Sequence, residues 1–170
     1  MATGIRDLVS YRLAVLVGLN DRAGHAHLKE TFGLTLGEWR VLGNIAQGGG
    51  TSFTDIAAAM VIDKGQLSRT TAALIERGHI QSKVMPGDRR GVMLSLTPQG
   101  ARFHAQVLAF AADRNAALLS KLDTFERRVL DIALQKLAAF VEVEHAALLR
   151  GTARDAETAA RRATAGRRTA

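Results

Sequence analysis

The sequence predicts a mainly α-helical fold that carries one small β-hairpin. Alanine and leucine dominate the 170 residues, aromatic residues make up 5%, and only two prolines interrupt the chain, a balance that favours helix over sheet. Apolar residues recur at helical spacing along most of the chain, whereas the segment between Gly78 and Thr97 alternates with a period of two. The length suits one sizeable core with an appended tail.

Capping signals mark where most of the predicted helices begin. Thr35 followed by Glu38 has the spacing of a capping box, in which each side chain binds the other residue's backbone N–H. The same three-residue spacing recurs in three further pairs, which are Ser52 with Asp55, Asp63 with Gln66, and Asp123 with Glu126. Thr97 is followed by Pro98, and proline suits the first helical position because its missing N–H would have no partner there.

Glycines mark the helix ends. Gly33 follows a first helix of about residues 5–32, glycines 48–50 end the second helix, and Gly78 follows the helix that begins after Asp63. Residues 80–85 and 92–96 then alternate in polarity, and the loop between them contains two glycines and a proline. This pattern predicts a β-hairpin.

The last predicted helix is apolar on two sides. One stripe holds Val129, Ala133, Leu137, Phe140 and Ala147, and the second holds Leu130, Leu134, Val141 and Leu148. A helix with two apolar sides must bury both, so we expect a partner subunit and a homodimer. A monomeric helical bundle that closes on itself is the alternative. Residues 151–170 are rich in Ala, Thr and Arg without apolar periodicity, and we expect them to be a basic, disordered tail.

The formal net charge of +7 favours a polyanionic partner, nucleic acid before membrane. However, the segment from Arg150 onward holds six arginines against two acids, so it carries +4 of that charge and leaves the body only mildly basic. The argument for DNA must therefore come from the arrangement of residues. Because the chain has no long apolar stretch and its N-terminus lacks a signal-peptide pattern, we expect a cytoplasmic protein without a membrane partner.

Residues 53–78 have the spacing of a helix-turn-helix. The second helix of this motif presents short or forked polar side chains opposite its apolar face: Lys64, Gln66, Ser68, Arg69 and Thr70. Such side chains suit base edges and phosphates in a major groove, and the helix N-terminus behind Asp63 offers free N–H groups to a phosphate. The alternative is a polar helix face that is merely solvated.

The hairpin that follows has a basic tip, in which Asp88 precedes Arg89 and Arg90 between glycines. An arginine on such a tip suits a narrow minor groove, and Asp88 can pair with one arginine while the other projects. A surface turn with incidental arginines is the alternative. Together the two segments predict a winged helix-turn-helix that binds double-stranded DNA.

Residues 35–100 resemble the winged helix-turn-helix of MarR-family bacterial regulators. The resemblance is carried by LTLGEWRVL at 34–42, DIA at 55–57, LSRT at 67–70, LIERGHI at 74–80, DRRG at 88–91 and LSLTPQG at 94–100. With the flanking helices it covers roughly residues 5–148. It implies a single domain of residues 1–150, with the winged helix-turn-helix at about 35–97 and dimerisation helices at about 5–32 and 98–148.

The resemblance also implies a function. Members of the family bind near-palindromic operators as homodimers, most repress, and many release DNA when a small aromatic or phenolic acid binds. Arg90 matches the arginine that enters the minor groove, Asp88 matches the residue that braces the wing, and Arg69 matches a contact on the recognition helix. The oxidation-sensing branch of the family needs a reactive cysteine, and this chain has none, which excludes that mechanism.

An anionic effector would need a cation and an aromatic wall, for which the available residues are Arg12, His27, Trp39 and Arg40. Trp39 is also a candidate for the core, and Arg12 for a surface or dimer salt bridge.

No catalytic or metal site is expected. His25 and His27 lie two residues apart and do not share a helix face, and glycines 48–50 lack the lysine of a phosphate-binding loop. We therefore expect no enzyme activity, no metal and no cofactor. The alternative function is a winged-helix protein-interaction or assembly module with nonspecific DNA affinity.

Overall fold

The computed structural model describes residues 4–60, 62–85 and 88–166, with side chains described for 4–60, 62–84 and 92–148. After a 3₁₀ turn at Ile5–Asp7, the elements are α1 (Val9–Phe32), α2 (Leu36–Gly48), β1 (Thr51–Ser52), α3 (Phe53–Met60), α4 (Lys64–Glu76), β2 (Ile80–Met85), β3 (Asp88–Leu96), α5 (Pro98–Leu119) and α6 (Thr124–Gly166). The chain divides into two compact units, residues 1–114 and 115–170. The predicted fold class, mainly helical with a small hairpin, is confirmed.

The capping residues act as their spacing predicts. Thr35 Oγ1 accepts from the Glu38 N–H at 3.2 Å, and Glu38 Oε2 accepts from the Thr35 N–H at 2.7 Å, which completes the capping box of α2. Asp63 Oδ1 accepts from the Gln66 N–H at 2.8 Å and caps α4. Gly33 ends α1 at φ 64°, a left-handed conformation that glycine adopts without a steric penalty. Local hydrogen bonding therefore determines where these helices begin and end.

The sheet has three antiparallel strands in the order β1-β3-β2. In the predicted hairpin, Ile80 pairs with Leu96 and Val84 with Val92, and the register shifts between Val84 and Met85. The third strand, β1, was not predicted, because its two residues are too few to show a period. It pairs Thr51 with Leu94 and so attaches the α2–α3 connection to the hairpin.

The core of residues 1–114 is a single cluster. Its buried apolar members are Leu28, Leu34, Val41, Leu42, Ile45, Ile56, Ala57, Leu67, Leu74, Ile80, Leu94 and Val107. They come from α1, α2, α3, α4, α5, both long strands and the turn after α1. The helix-turn-helix, the hairpin and the flanking helix ends therefore share one packed interior.

The second unit consists mainly of α6, which differs from the expectation in length. The helix continues through Gly166, whereas we expected disorder from residue 151. The absence of apolar periodicity in this segment does not prevent a helix. Alanine and arginine have high helix propensity, and no proline follows Pro98. Among its described side chains, residues 124–148, only Ala146 is even half-buried.

Candidate DNA-binding interface

The helix-turn-helix is held by buried side chains from both of its helices. Ile56 and Ala57 on α3 and Leu67, Thr71 and Leu74 on α4 face the core, as the spacing predicts. The Thr71 hydroxyl donates to the Leu67 carbonyl at 3.0 Å, which satisfies the one polar group on this side of α4. The opposite side of α4 is therefore free to face a ligand.

The five residues predicted to contact DNA do not share one side of α4. Because successive helical residues are turned by roughly 100°, Arg69 lies on the side farthest from Leu67, with Gln66 about 60° to one side of it and Ser68 about 100° to the other. Gln66 and Thr70 are one turn apart on the flank that faces α2, and the half-buried Thr70 hydroxyl donates to the Gln66 carbonyl at 3.0 Å. Lys64, Gln66, Ser68 and Arg69 are exposed. The outermost face of α4 is thus centred on Arg69, with Ser68 on the flank away from α2.

The Arg69 guanidinium lies over the first turn of α4. A Cβ atom added at Gly65 would be 3.7 Å from Arg69 Nη1 and 3.1 Å from Asp63 Oδ1, so the arginine passes close above this glycine. The first turn of a helix has unpaired N–H groups and the positive end of the helix dipole. A guanidinium at the same place adds to an environment that attracts phosphate.

Residues 88–90 are the first residues of β3, and two residues separate β2 from β3. Asp88 pairs with Met85 across the hairpin at the level of the backbone. The side chains of Asp88, Arg89 and Arg90, to which the sequence assigns wing roles, lie outside the described residues, as does the Pro86–Gly87 loop. Their roles in DNA binding therefore stay predictions.

The base of the hairpin is packed tightly against the start of α5. The His79 ring stacks on Phe103 with a centroid distance of 4.2 Å and an interplanar angle of 5°. The His79 carbonyl accepts from the Thr97 N–H at 3.1 Å, and the Thr97 hydroxyl donates to the Gly78 carbonyl at 2.7 Å. Burial lowers the pKa of His79, the Arg77 cation lowers it further, and Glu38 opposes the shift.

The structure does not bring the four predicted effector residues together. Arg12 lines an apolar groove of about 360 Å³ with Val9, Leu13 and Leu16, near the start of α1. His27 is fifteen residues further along the same helix, which corresponds to about 22 Å. Its Nδ1 lies 2.8 Å from the Ala23 carbonyl and 3.4 Å from Nη1 of Arg114 on α5. Arg114 is thus a cation in contact with His27, and sequence reasoning missed it because 87 residues separate the two.

The other two effector candidates have partners of their own. Trp39 is half-buried against the core and stacks on His104 of α5 at 5.4 Å, which favours its alternative role as a core residue. Burial lowers the pKa of His104. Arg40 forms an ion pair with Asp21 of α1, in which Nη2 is 2.9 Å from both carboxylate oxygens.

A cavity of about 440 Å³ lies between α2 and α4. Its lining residues are Leu36, Gly37, Arg40, Asn44, Ala59, Met60, Ile62, Gln66 and Thr70. It combines an apolar wall, from Leu36, Met60 and Ile62, with the Arg40 cation. Gln66 and Thr70, which the sequence assigns to DNA, form the wall that belongs to α4. A molecule in this cavity would contact α4 from the side opposite to Ser68.

Among the described residues, no helix is long and apolar enough to cross a membrane. Within residues 4–60, 62–84 and 92–148, no three acidic or histidine side chains are grouped as ligands for a metal ion.

Comparison with known proteins agrees with the fold. The model of the MarR family matches residues 32–91. A putative transcriptional regulatory protein for the hcr operon of Thauera aromatica is 30% identical over 107 residues, which cover 63% of this chain and 64% of that protein. The chain thus spans about two thirds of the length of this curated relative.

Two solved structures have the same architecture. A MarR/EmrR family transcriptional regulator from Acinetobacter sp. ADP1 superposes with a TM-score of 0.74 at 24% identity, over 82% of this chain and 98% of that one. BpsR of Bordetella bronchiseptica, whose DNA binding is regulated by 6-hydroxynicotinic acid, superposes with a TM-score of 0.63 at 24% identity, over 75% of this chain and 98% of that one. At these identities the likeness shows the fold alone.

Proposed function

Because residues 32–91 match the model of the MarR family, we propose that the chain is a transcriptional regulator of this family that binds a near-palindromic operator in double-stranded DNA as a homodimer. The observation that carries the proposal is the way α4 is mounted and exposed. Its inner side is fixed by three buried residues, its N-terminus is capped by Asp63, and its outer side presents Ser68 and Arg69 to solvent. A capped helix with a polar outer face and a hairpin directly after it suits entry into a major groove.

We assign the DNA contacts as follows. Arg69 and Ser68 face the base edges, and Lys64 with the free N–H groups of the first turn of α4 binds phosphate. Gln66 and Thr70 contribute from the edge of the groove, because they lie on the flank toward α2. Arg89 and Arg90 bind the minor groove beside the hairpin, and Asp88 orients one of them.

The homodimer is supported by apolar side chains that this chain leaves exposed. On α1 they include Val15, Leu16 and Leu19, each between 44% and 55% exposed, and on α6 they include Leu134 and Leu137, each 44% exposed. Apolar faces of this extent on two long helices mark protein–protein contact. In a two-fold dimer the same faces of a second copy cover them.

The regulator acts as a repressor that a small aromatic or phenolic acid releases from DNA, and the α2–α4 cavity supports this. Its volume falls within the range of about 300–1,000 Å³ typical of small-molecule sites. Arginine has five N–H donors, and Arg40 uses only its Nη2 toward Asp21, which leaves donors for a carboxylate. The ring of the acid would lie against Leu36, Met60 and Ile62. Because Gln66 and Thr70 form the facing wall, the ligand would act directly on α4.

Selection of duplexes from a random library, followed by footprinting on DNA upstream of the gene, tests DNA recognition. We expect a near-palindrome, and Arg69→Ala should weaken binding to it by about 1–3 kcal/mol while binding to random duplex changes less. Arg102→Ala, which removes an exposed arginine on α5, is the control. If the chain is instead an assembly module, binding will be salt-sensitive but indifferent to sequence, and Arg69→Ala will resemble the control.

A panel of benzoic and hydroxybenzoic acids tests the effector. Arg40→Met should abolish release of the selected duplex by the active acid while operator binding is retained. Arg12→Met, which removes a cation from the distant groove on α1, should still respond. Release that survives Arg40→Met and disappears in Arg12→Met would move the effector site to α1.

A further inference from the structure

One guanidinium joins the ends of three helices in the first unit. Arg77, the C-cap residue of α4, donates from Nη2 to Glu38 Oε1 near the start of α2 and from Nη1 to the carbonyl of Gly33, which ends α1, at 3.1 Å. Its Nε donates to the Ala73 carbonyl at 3.3 Å, within its own helix. All three nitrogens of the side chain are therefore engaged, and α1, α2 and α4 meet at this one residue.

The acceptor in this arrangement is also fixed. Glu38 is 8% exposed, and its second oxygen, Oε2, accepts from the Thr35 N–H at 2.7 Å and the Thr35 hydroxyl at 2.9 Å. The carboxylate thus cannot follow Arg77 if α4 moves, because the α2 cap holds it. The planar guanidinium makes directed bonds to two separate elements, which restricts the angle as well as the distance between them.

The core alone does not restrict α4 in this way. Leu67 and Leu74 hold α4 through apolar contacts, which are not directional. Arg77 is the point at which α4 is joined by hydrogen bonds to the C-terminal end of α1, the helix whose N-terminal half carries exposed apolar residues. On the proposed function, that face of α1 meets the second copy. In each protomer, Arg77 therefore links the recognition helix by hydrogen bonds to the helix that carries this face, in addition to the Thr97 bonds that join the end of α4 to α5.

We propose that Arg77 is a positioning residue that determines which spacing between two DNA half-sites the dimer accepts. The proposal rests on the proposed DNA-binding function, and it concerns selectivity for spacing rather than affinity for bases. Inserting one base pair moves a half-site by about 3.4 Å and turns it by about 35°. A rigidly mounted α4 cannot follow such a change, whereas an α4 that lacks directed bonds to α1 and α2 can adjust to it.

The experiment uses the full chain and the duplex that wild type selects from a random library. Affinity is measured for this duplex and for versions with one or two base pairs inserted or deleted between the half-sites. Wild type should bind the duplexes with altered spacing at least about tenfold more weakly, which corresponds to about 1.4 kcal/mol. Arg77→Met combined with Glu38→Gln, which leaves no unpaired charge, should reduce this spacing penalty at least about threefold.

Two further variants separate positioning from folding. Arg77→Lys retains the positive charge but loses the planar guanidinium and its directed donors, so it should give an intermediate spacing penalty. If circular dichroism shows that the double variant does not fold, the spacing penalty of Arg77→Lys tests the proposal instead. Lys29→Met removes an exposed cation from the same corner of the molecule and should keep the wild-type penalty. Loss of stability alone would lower affinity for every spacing equally.

The outcomes are distinct. A folded Arg77 variant with the wild-type penalty, or a wild type that is indifferent to spacing, overturns the proposal while the regulator function stands. A wild type that selects no duplex overturns the proposed function and this inference with it. A reduced penalty in the Arg77 variants and an unchanged one in Lys29→Met supports the proposal.

Discussion

Apart from the exposed N-terminal half of α1, the first unit and α6 use their apolar side chains in opposite ways. The described side chains of residues 1–114 include twelve apolar ones buried in one cluster, whereas α6 leaves both of its apolar stripes exposed. Phe125, Phe140 and Leu148 on α6 are 74%, 61% and 69% exposed. The difference indicates that the first unit is stabilised by its own packing, and it supports the proposed homodimer, in which a second copy covers α6. Each of the following predictions tests one side of this comparison.

The largest effect is expected at the exposed apolar stripes of α6. Leu134→Glu combined with Leu137→Glu should convert the dimer to monomers, measured by sedimentation. Burial of each leucine is worth about 1.5–3 kcal/mol, and four side chains are changed in a two-fold dimer. Far-ultraviolet circular dichroism and the core of the first unit should be little affected.

Lys136→Glu changes a neighbouring exposed residue on the same helix and is the control, which should remain dimeric. A double leucine variant that remains a dimer at nanomolar concentration would show that these stripes are not the contact. Loss of the first unit's cooperative unfolding would show that α6 supports the core after all.

The second largest effect is expected from a substitution that disturbs the packing of the first unit. A Cβ atom at Gly100 would lie only 1.8 Å from the His79 carbonyl oxygen, so Gly100→Ala must push α5 away from the base of the hairpin. We expect destabilisation of about 3 kcal/mol, the upper end for overpacking, measured by urea unfolding at fixed protein concentration. Gly43→Ala, where a Cβ meets no atom within 4 Å, should be neutral or stabilising by up to about 1 kcal/mol. Equal stability of the two variants would contradict the close contact.

Features that depend on neighbouring residues were predictable from the sequence. The Thr35–Glu38 capping box, the Asp63 cap and the β2–β3 hairpin each arise from interactions within a few residues, and all three are confirmed. The buried side of α4 follows from helical periodicity, so the general location of the DNA-binding face could also be predicted.

Features that depend on the pairing of residues far apart in the chain could not be predicted from the sequence. Arg77 and Glu38 are separated by 39 residues and Arg114 and His27 by 87, and a single sequence contains no signal for either pair. The polarity pattern also treated all five polar residues of α4 as one face. Only packing against α2 shows that Gln66 and Thr70 lie on its flank.

The smallest expected effect is on the pH dependence of the free energy of unfolding, and it distinguishes histidines in the two units. Burial lowers the pKa of both His79 and His104, whereas His145 on α6 is exposed. Because the unfolded state takes up protons near pH 6.5 and the folded state does so only at lower pH, the free energy of unfolding should fall as the pH decreases below about 6.5. Stability above that pH is unaffected, since both histidines are neutral in both states.

The measurement is urea unfolding between pH 7.5 and 5.5. His79→Phe should reduce this pH dependence, because phenylalanine keeps a ring beside Phe103 and cannot bind a proton. His145→Gln should leave the slope as in wild type. If the slope persists in His79→Phe and disappears in His145→Gln, the pH-sensitive packing belongs to α6, and the contrast between a self-packed first unit and a partner-dependent helix would have to be reversed.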